Sequence, residues 1–124
     1  MTFTYDGTFE GLLSVIFETY RLETTATVIV PAEEWQGSLF ETPLLVTTKE
    51  EWAERVKVGI KKKGGKKSLR LLEHCFLSEF PEVRKLIYDF VRKLMASPIN
   101  ISDNFGDDTV LKLHQIKKKI GREV

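Results

Sequence analysis

The sequence contains a single cysteine, Cys75, so no disulfide can form within the chain. One thiol and two histidines, His74 and His114, fall short of the spaced ligands of a structural zinc site. They also fall short of the several cysteines that an iron–sulfur cluster requires. His74 and Cys75 are adjacent, and on a helix they would project about 100° apart. Neither a metal nor another cofactor is expected. No apolar run approaches the roughly 20 residues of a membrane span. The N-terminus lacks a basic stretch leading into an apolar segment and a small-residue cleavage site. No membrane partner is expected, and a reduced, cytoplasmic setting is. Phosphate loops are missing too. Gly7 and Gly11 in YDGTFEG fit neither the Gly-Lys-Ser/Thr ending of a P-loop nor the G-x-G-x-x-G dinucleotide fingerprint, and Asp6 and Glu10 would repel phosphate.

What is present is the composition of a globular chain. Hydrophobic residues make up 42% and charged residues 30% of 124 positions, which argues against disorder. A chain of this length reads as one domain, residues 1–124, able to build a core without staples. Thr2–Tyr5 reads as a short strand, with Asp6 as the N-cap of a helix. Phe9, Leu12, Leu13, Ile16, Phe17 and Tyr20 give that helix one apolar face. Thr25–Val30 and Leu44–Thr47 read as further strands, separated by a loop anchored by Trp35 and Phe40. Thr48 and Glu51 form a capping-box pattern before a helix with Trp52, Ala53, Val56 and Ile60 inward. Gly64-Gly65 is expected to end it. A third helix carries Leu69, Leu72, Cys75 and Phe76, and a fourth starts near Pro81 with Val83, Leu86, Ile87, Phe90, Val91 and Leu94 on its apolar stripe. After a polar loop over 99–108, a last helix spans roughly 109–124. The fold class is α+β, mostly helical, with four or five helices and a small N-terminal sheet of two or three strands.

The net charge of +1 hides a split. Residues 1–54 hold ten acids and two bases, whereas residues 55–124 hold seventeen bases and eight acids. Such asymmetry marks an interaction surface, or two halves that attract each other. The basic stretch KVGIKKKGGKKSLR supplies Lys61, Lys62, Lys63, Lys66, Lys67 and Arg70. The last helix adds Lys112, Lys117, Lys118, Lys119 and Arg122. If they share a face, Lys61, Lys62, Lys63, Lys66, Lys67, Arg70, Lys118, Lys119 and Arg122 could bind a nucleic acid backbone, releasing counterions. Otherwise they are solvated lysines. Trp35 and Trp52 lie in the acidic half, so no aromatic platform accompanies the lysines, and sequence-specific readout is not suggested.

Catalytic signals are weak. Cys75 with His114 has no local support as a nucleophile and base, and the adjacent acid pairs fit loops and helix starts. The remaining candidates are Tyr5, Asp6 and Glu10 at the first strand–helix junction, as an acid–base group in an enzyme fragment. A buried carboxylate with a raised pKa would favour that role, and an exposed Asp6 capping its helix would oppose it. The residues therefore favour a non-catalytic role for this chain alone.

Four segments together carry a resemblance. They are YDGTFEGLLSVIFETY, LF followed by VTTKEEWAERV, FLSEFPEVRKLIYDFV and DDTVLKLHQIKKKIGREV. In this order, over essentially the whole chain, they resemble an uncharacterised bacterial family of DNA metabolism proteins. The resemblance implies a companion of a radical-SAM protein of DNA modification or repair. It also implies a domain that some members join to a uracil-DNA glycosylase-like domain. Family members continue beyond the equivalent of Val124, so the resemblance implies a chain truncated at its C-terminus. It supplies no catalytic residues. The leading expectation is an accessory protein that binds nucleic acid backbone or docks such a partner. The alternatives are the enzyme fragment and an acidic interaction module using Glu33, Glu34 and Glu41.

Overall fold

A computed structural model of the chain describes residues 1–37 and 42–122, with side chains described as far as Ile120. Phe40 and Glu41 lie outside the described residues. The chain divides into two compact units, Met1–Val56 and Lys57–Val124.

In the first unit, strand β1 (Thr2–Tyr5) is followed by helix α1 (Phe9–Arg21), strand β2 (Val28–Pro31), a 3-10 turn (Ala32–Glu34) and strand β3 (Leu44–Leu45). The sheet order is β2-β1-β3, and both pairings are parallel, Phe3 lying opposite Ile29 and Leu44. Parallel neighbours need a crossover, which α1 provides between β1 and β2. All four residues of β1 are buried, as the central strand of a covered sheet should be. Pro31 is paired within β2 rather than ending the chain before it, which an edge strand tolerates. The third strand is shorter than the stretch Leu44–Thr47 suggests, with Val46 donating one further bond to Thr4.

Helix α1 buries Leu12, Leu13 and Ile16 as its period requires, and also Val15, Glu18 and Thr19. Its N-cap is Thr8, not Asp6: the Thr8 hydroxyl accepts from Gly11 N at 2.9 Å. Asp6 sits two residues earlier and accepts from Thr8 N and Thr8 Oγ1 at 3.0 and 2.7 Å, orienting the cap. Phe17 stacks on Trp52 at 4.7 Å, and the Lys49 ammonium lies 4.1 Å from the Trp52 ring.

Helix α2 (Glu50–Phe76) begins in the first unit and runs mostly in the second. The capping box before it does not form. Thr48 donates its hydroxyl to Asp6 Oδ2 at 2.6 Å, and Lys49 N finds Ser14 Oγ at 3.1 Å. As the Gly64-Gly65 pair suggests, the helix ends here: α2 is two helical stretches that meet at a kink on Gly65, where φ is +79° and ψ is 172°. The carbonyl freed by that break, on Gly64, accepts from Ser68 Oγ at 2.8 Å and Asn100 Nδ2 at 3.3 Å.

Helices α3 (Val83–Ala96) and α4 (Asp108–Arg122) complete the second unit and pack on each other. Val83, Ile87, Phe90, Val91 and Leu94 of α3 and Val110, Leu113 and Ile116 of α4 are buried, with Leu69, Leu72 and Cys75 from α2. The architecture is thus α+β, with four helices and a small parallel sheet at the N-terminus. Among the described residues no helix is long and apolar enough to cross a membrane.

Candidate nucleic-acid interface

The second unit gathers the basic residues. Met1–Val56 holds ten acids and three bases, whereas Lys57–Val124 holds sixteen bases and eight acids. The charge boundary read from sequence therefore nearly coincides with the boundary between units.

Within the second unit, Lys67 and Arg70 from the distal part of α2 and His114 and Lys117 from α4 line one cleft of about 340 Å³. Its remaining wall is Ser68, Leu71, Ser102 and Asp103. The loop carrying Ser102 is built from Asn and Asp turns. Ser102 N donates to Asn100 Oδ1 at 2.9 Å and Gly106 N to Asn104 Oδ1 at 3.2 Å. Asp107 then caps α4, accepting from Thr109 N at 2.9 Å and Val110 N at 3.2 Å. Partial burial works to raise the Asp107 pKa, but the Val110 amide, Lys93 and the Thr109 amide outweigh it and hold the carboxyl below its ordinary value. Lys93 reaches Asp107 at 3.1 Å, tying the start of α4 to α3. His114 Nε2 lies 2.9 Å from the Ser102 carbonyl oxygen, so Nε2 carries the proton and donates.

The two lysine-rich segments thus meet at this cleft through Lys67, Arg70 and Lys117. Among the described residues, Lys61, Lys62, Lys66, Lys67, Arg70, Lys117 and Lys118 form no ion pair. Lys63 is different. Its ammonium donates to the Ser97 carbonyl at 2.6 Å, closing the end of α3. Lys119 lies with its ammonium 5.5 Å from the centre of the Phe80 ring. The Arg122 backbone ends α4, and its side chain lies outside the described residues.

Aromatic neighbours for these cations exist, contrary to the expectation drawn from Trp35 and Trp52. Phe80 is 36% exposed and Phe105 53% exposed, and Phe105 meets His114 edge-on at 4.8 Å. A sequence signal for Phe80 is its position just before Pro81, off the apolar stripe of α3.

The strand–helix junction is arranged differently from a catalytic cleft. Tyr5 is buried, while Asp6 is exposed. Slight burial works to raise the Asp6 pKa, but the hydrogen bonds from Thr48 and Thr8 outweigh it and hold the carboxyl below the ordinary value. Acid–base work would need the opposite shift. Glu10 is half-buried in the first turn of α1. Gly11 packs against this cluster: a Cβ there would overlap Asp6 Oδ1 and lie 2.9 Å from Thr48 Oγ1. Burial pushes the Cys75 thiol up to about 11, despite nearby Lys117, and its S–H donates to the Leu113 carbonyl. A thiol so placed is a core group. Among the described residues no three His, Cys, Asp or Glu side chains are grouped to hold a metal ion. No family model, curated protein or solved structure matches the chain.

Proposed function

We propose that this chain is an accessory, non-catalytic protein that binds the phosphate backbone of nucleic acid through its second unit. One observation carries the reading. Lys67, Arg70 and Lys117, drawn from two helices, line a single cleft and form no ion pair among the described residues. Unpaired cations against protein walls focus a positive potential, and Asp103 is the one carboxylate among the described residues of the lining. Exposed Lys61, Lys62, Lys66 and Lys118 are further cations of the same unit, available to a polyanion longer than one phosphate. The resemblance to DNA metabolism proteins supports a role in modification or repair. On that reading the chain holds the strand while a radical-SAM or uracil-DNA glycosylase-like partner performs the chemistry.

Fluorescence anisotropy with single- and double-stranded oligonucleotides over a salt series tests the proposal. Micromolar binding is expected, with log affinity falling against log salt by about 0.9 per duplex phosphate contacted. Replacing Lys67, Arg70 and Lys117 together by glutamine should weaken binding at least roughly tenfold at moderate salt. Binding that ignores salt, or the triple variant, would remove the cleft from the proposal.

A further inference from the structure

A second groove lies against the same helix. It is lined by Phe80, Glu82, Leu86, Lys112, Gln115, Ile116, Lys118 and Lys119 and has a volume of about 610 Å³. Phe80, Leu86 and Ile116 supply apolar surface, and three lysines supply positive charge. Lys112 is bridged to Asp108 at 3.1 Å, whereas Lys118 has no ion pair among the described residues and Lys119 rests over the Phe80 ring. The aromatic is held out by its backbone. Glu79 adopts a left-handed φ of 62°, Pro81 restricts Phe80 to extended conformations, and the Phe80 carbonyl accepts from Val83 N at 3.0 Å. A left-handed non-glycine residue costs stability, and such residues gather at binding sites.

We propose that this groove is a nucleobase subsite in which an unpaired base stacks on Phe80, so that the chain prefers single-stranded nucleic acid. The inference rests on the backbone-binding reading and adds to it the state of the strand. Bases in a duplex are stacked on one another and cannot reach a ring in a groove, whereas a single strand can turn one base outward. Aromatic rings and lysines together are what sequence-tolerant single-strand binders use. The chemistry of the lining separates the two parts of a nucleotide. Lys118 and Lys119 suit phosphate, and Phe80 with Leu86 and Ile116 suits the face of a base. Glu82, a poor neighbour for phosphate, is an acceptor for an exocyclic base amine. Helix α4 connects the two sites, presenting His114 and Lys117 to the phosphate cleft and Gln115, Ile116, Lys118 and Lys119 to this groove.

The test compares three probes of about 15 nucleotides: a single strand, its duplex, and a strand of the same length with abasic sugars throughout. The proteins are the unaltered chain, Phe80→Ala and Phe80→Trp, each checked for unchanged thermal melting. The single strand should bind roughly tenfold tighter than the abasic strand. Phe80→Ala should abolish that difference while leaving duplex and abasic binding unchanged, and Phe80→Trp should retain it. Equal, salt-sensitive binding of all three probes by the unaltered chain would overturn the base subsite and leave the backbone reading standing. No binding of any probe would overturn both. Phe80-dependent binding of an acidic amphipathic peptide, without base preference among the oligonucleotides, would assign the groove to a protein partner instead.

Discussion

Gly11 shows how much one absent methyl group holds in place. Its α-carbon sits where the Asp6 carboxylate, the Thr48 hydroxyl and the Tyr5 ring converge, and a Cβ would lie 3.0 Å from Tyr5 Cδ2. Alanine would gain about 1 kcal/mol in helix propensity but must push Asp6 off its partners, an overpacking cost of about 1–3 kcal/mol. Gly11→Ala is expected to lower the urea midpoint of unfolding. The same cluster predicts a pH dependence. The folded-state pKa of Asp6 lies below the ordinary value of 3.8, because Thr48 and Thr8 donate to the carboxylate against a small opposing effect of burial. A depressed folded pKa means that the ionised group stabilises the fold above the unfolded value, and that this is lost as pH falls through the folded one. Asp6→Ala should therefore destabilise the chain at neutral pH, and the difference from the unaltered chain should narrow as denaturation is repeated below about pH 4. A difference that stays constant with pH would show that Asp6 acts by packing alone.

At the scale of elements, α2 and α4 set the geometry of the basic surface. The break at Gly65 lies in a region of backbone space open essentially to glycine, while nothing crowds the site sterically. Gly65→Ala should thus cost about 1–3 kcal/mol through the backbone alone, read as a shift in urea midpoint. Gly64 beside it is limited by space instead, since a Cβ would approach Leu94 Cδ2 at 3.1 Å. Asp107 does for α4 what Thr8 does for α1. Asp107→Ala should speed amide exchange at Thr109 and Val110 and destabilise the chain by about 1–2 kcal/mol. The helices were legible in sequence because their apolar residues recur at three and four, and burial follows that period at Leu12, Ile16, Ile87, Leu94 and Leu113. The helix starts were less legible. Asp6, Thr8, Thr48 and Glu51 all suit a cap, and proximity between Asp6 and Thr48, 42 residues apart, decided which hydroxyl was left for a helix. A Gly-Gly pair reads as a helix end, and the backbone does leave the helix at Gly65, with Ser68 and Asn100 satisfying the freed Gly64 carbonyl. The cleft was half-legible. The lysines announce a positive surface, but only the fold brings Lys67 and Arg70 to Lys117, and Phe80 has no periodic signature.

For the whole molecule, net charge is a poor guide to partners. A formal charge of +1 averages an acidic unit with a basic one. Binding through a local surface and binding through global charge make opposite predictions. Glu33 and Glu34, exposed in the first unit, can be changed to glutamine together, which makes the chain two charges more positive. Lys66→Glu with Lys67→Glu makes it four charges more negative within the basic unit. If affinity follows net charge, the first pair strengthens oligonucleotide binding by a factor comparable, per charge, to that by which the second weakens it. If it follows the phosphates in contact, the glutamine pair leaves affinity within about twofold, and the lysine pair lowers it at least tenfold and flattens the salt slope by about two contacts. The second pattern is expected, because the salt-dependent part of the affinity comes from counterions released by the phosphates in contact and not from formal net charge. The glutamine pair also separates the acidic unit's role from that of the basic one. A partner protein that is lost on changing Glu33 and Glu34, while oligonucleotide binding persists, would mean that the two units face different partners and that the charge split divides two functions rather than balancing one.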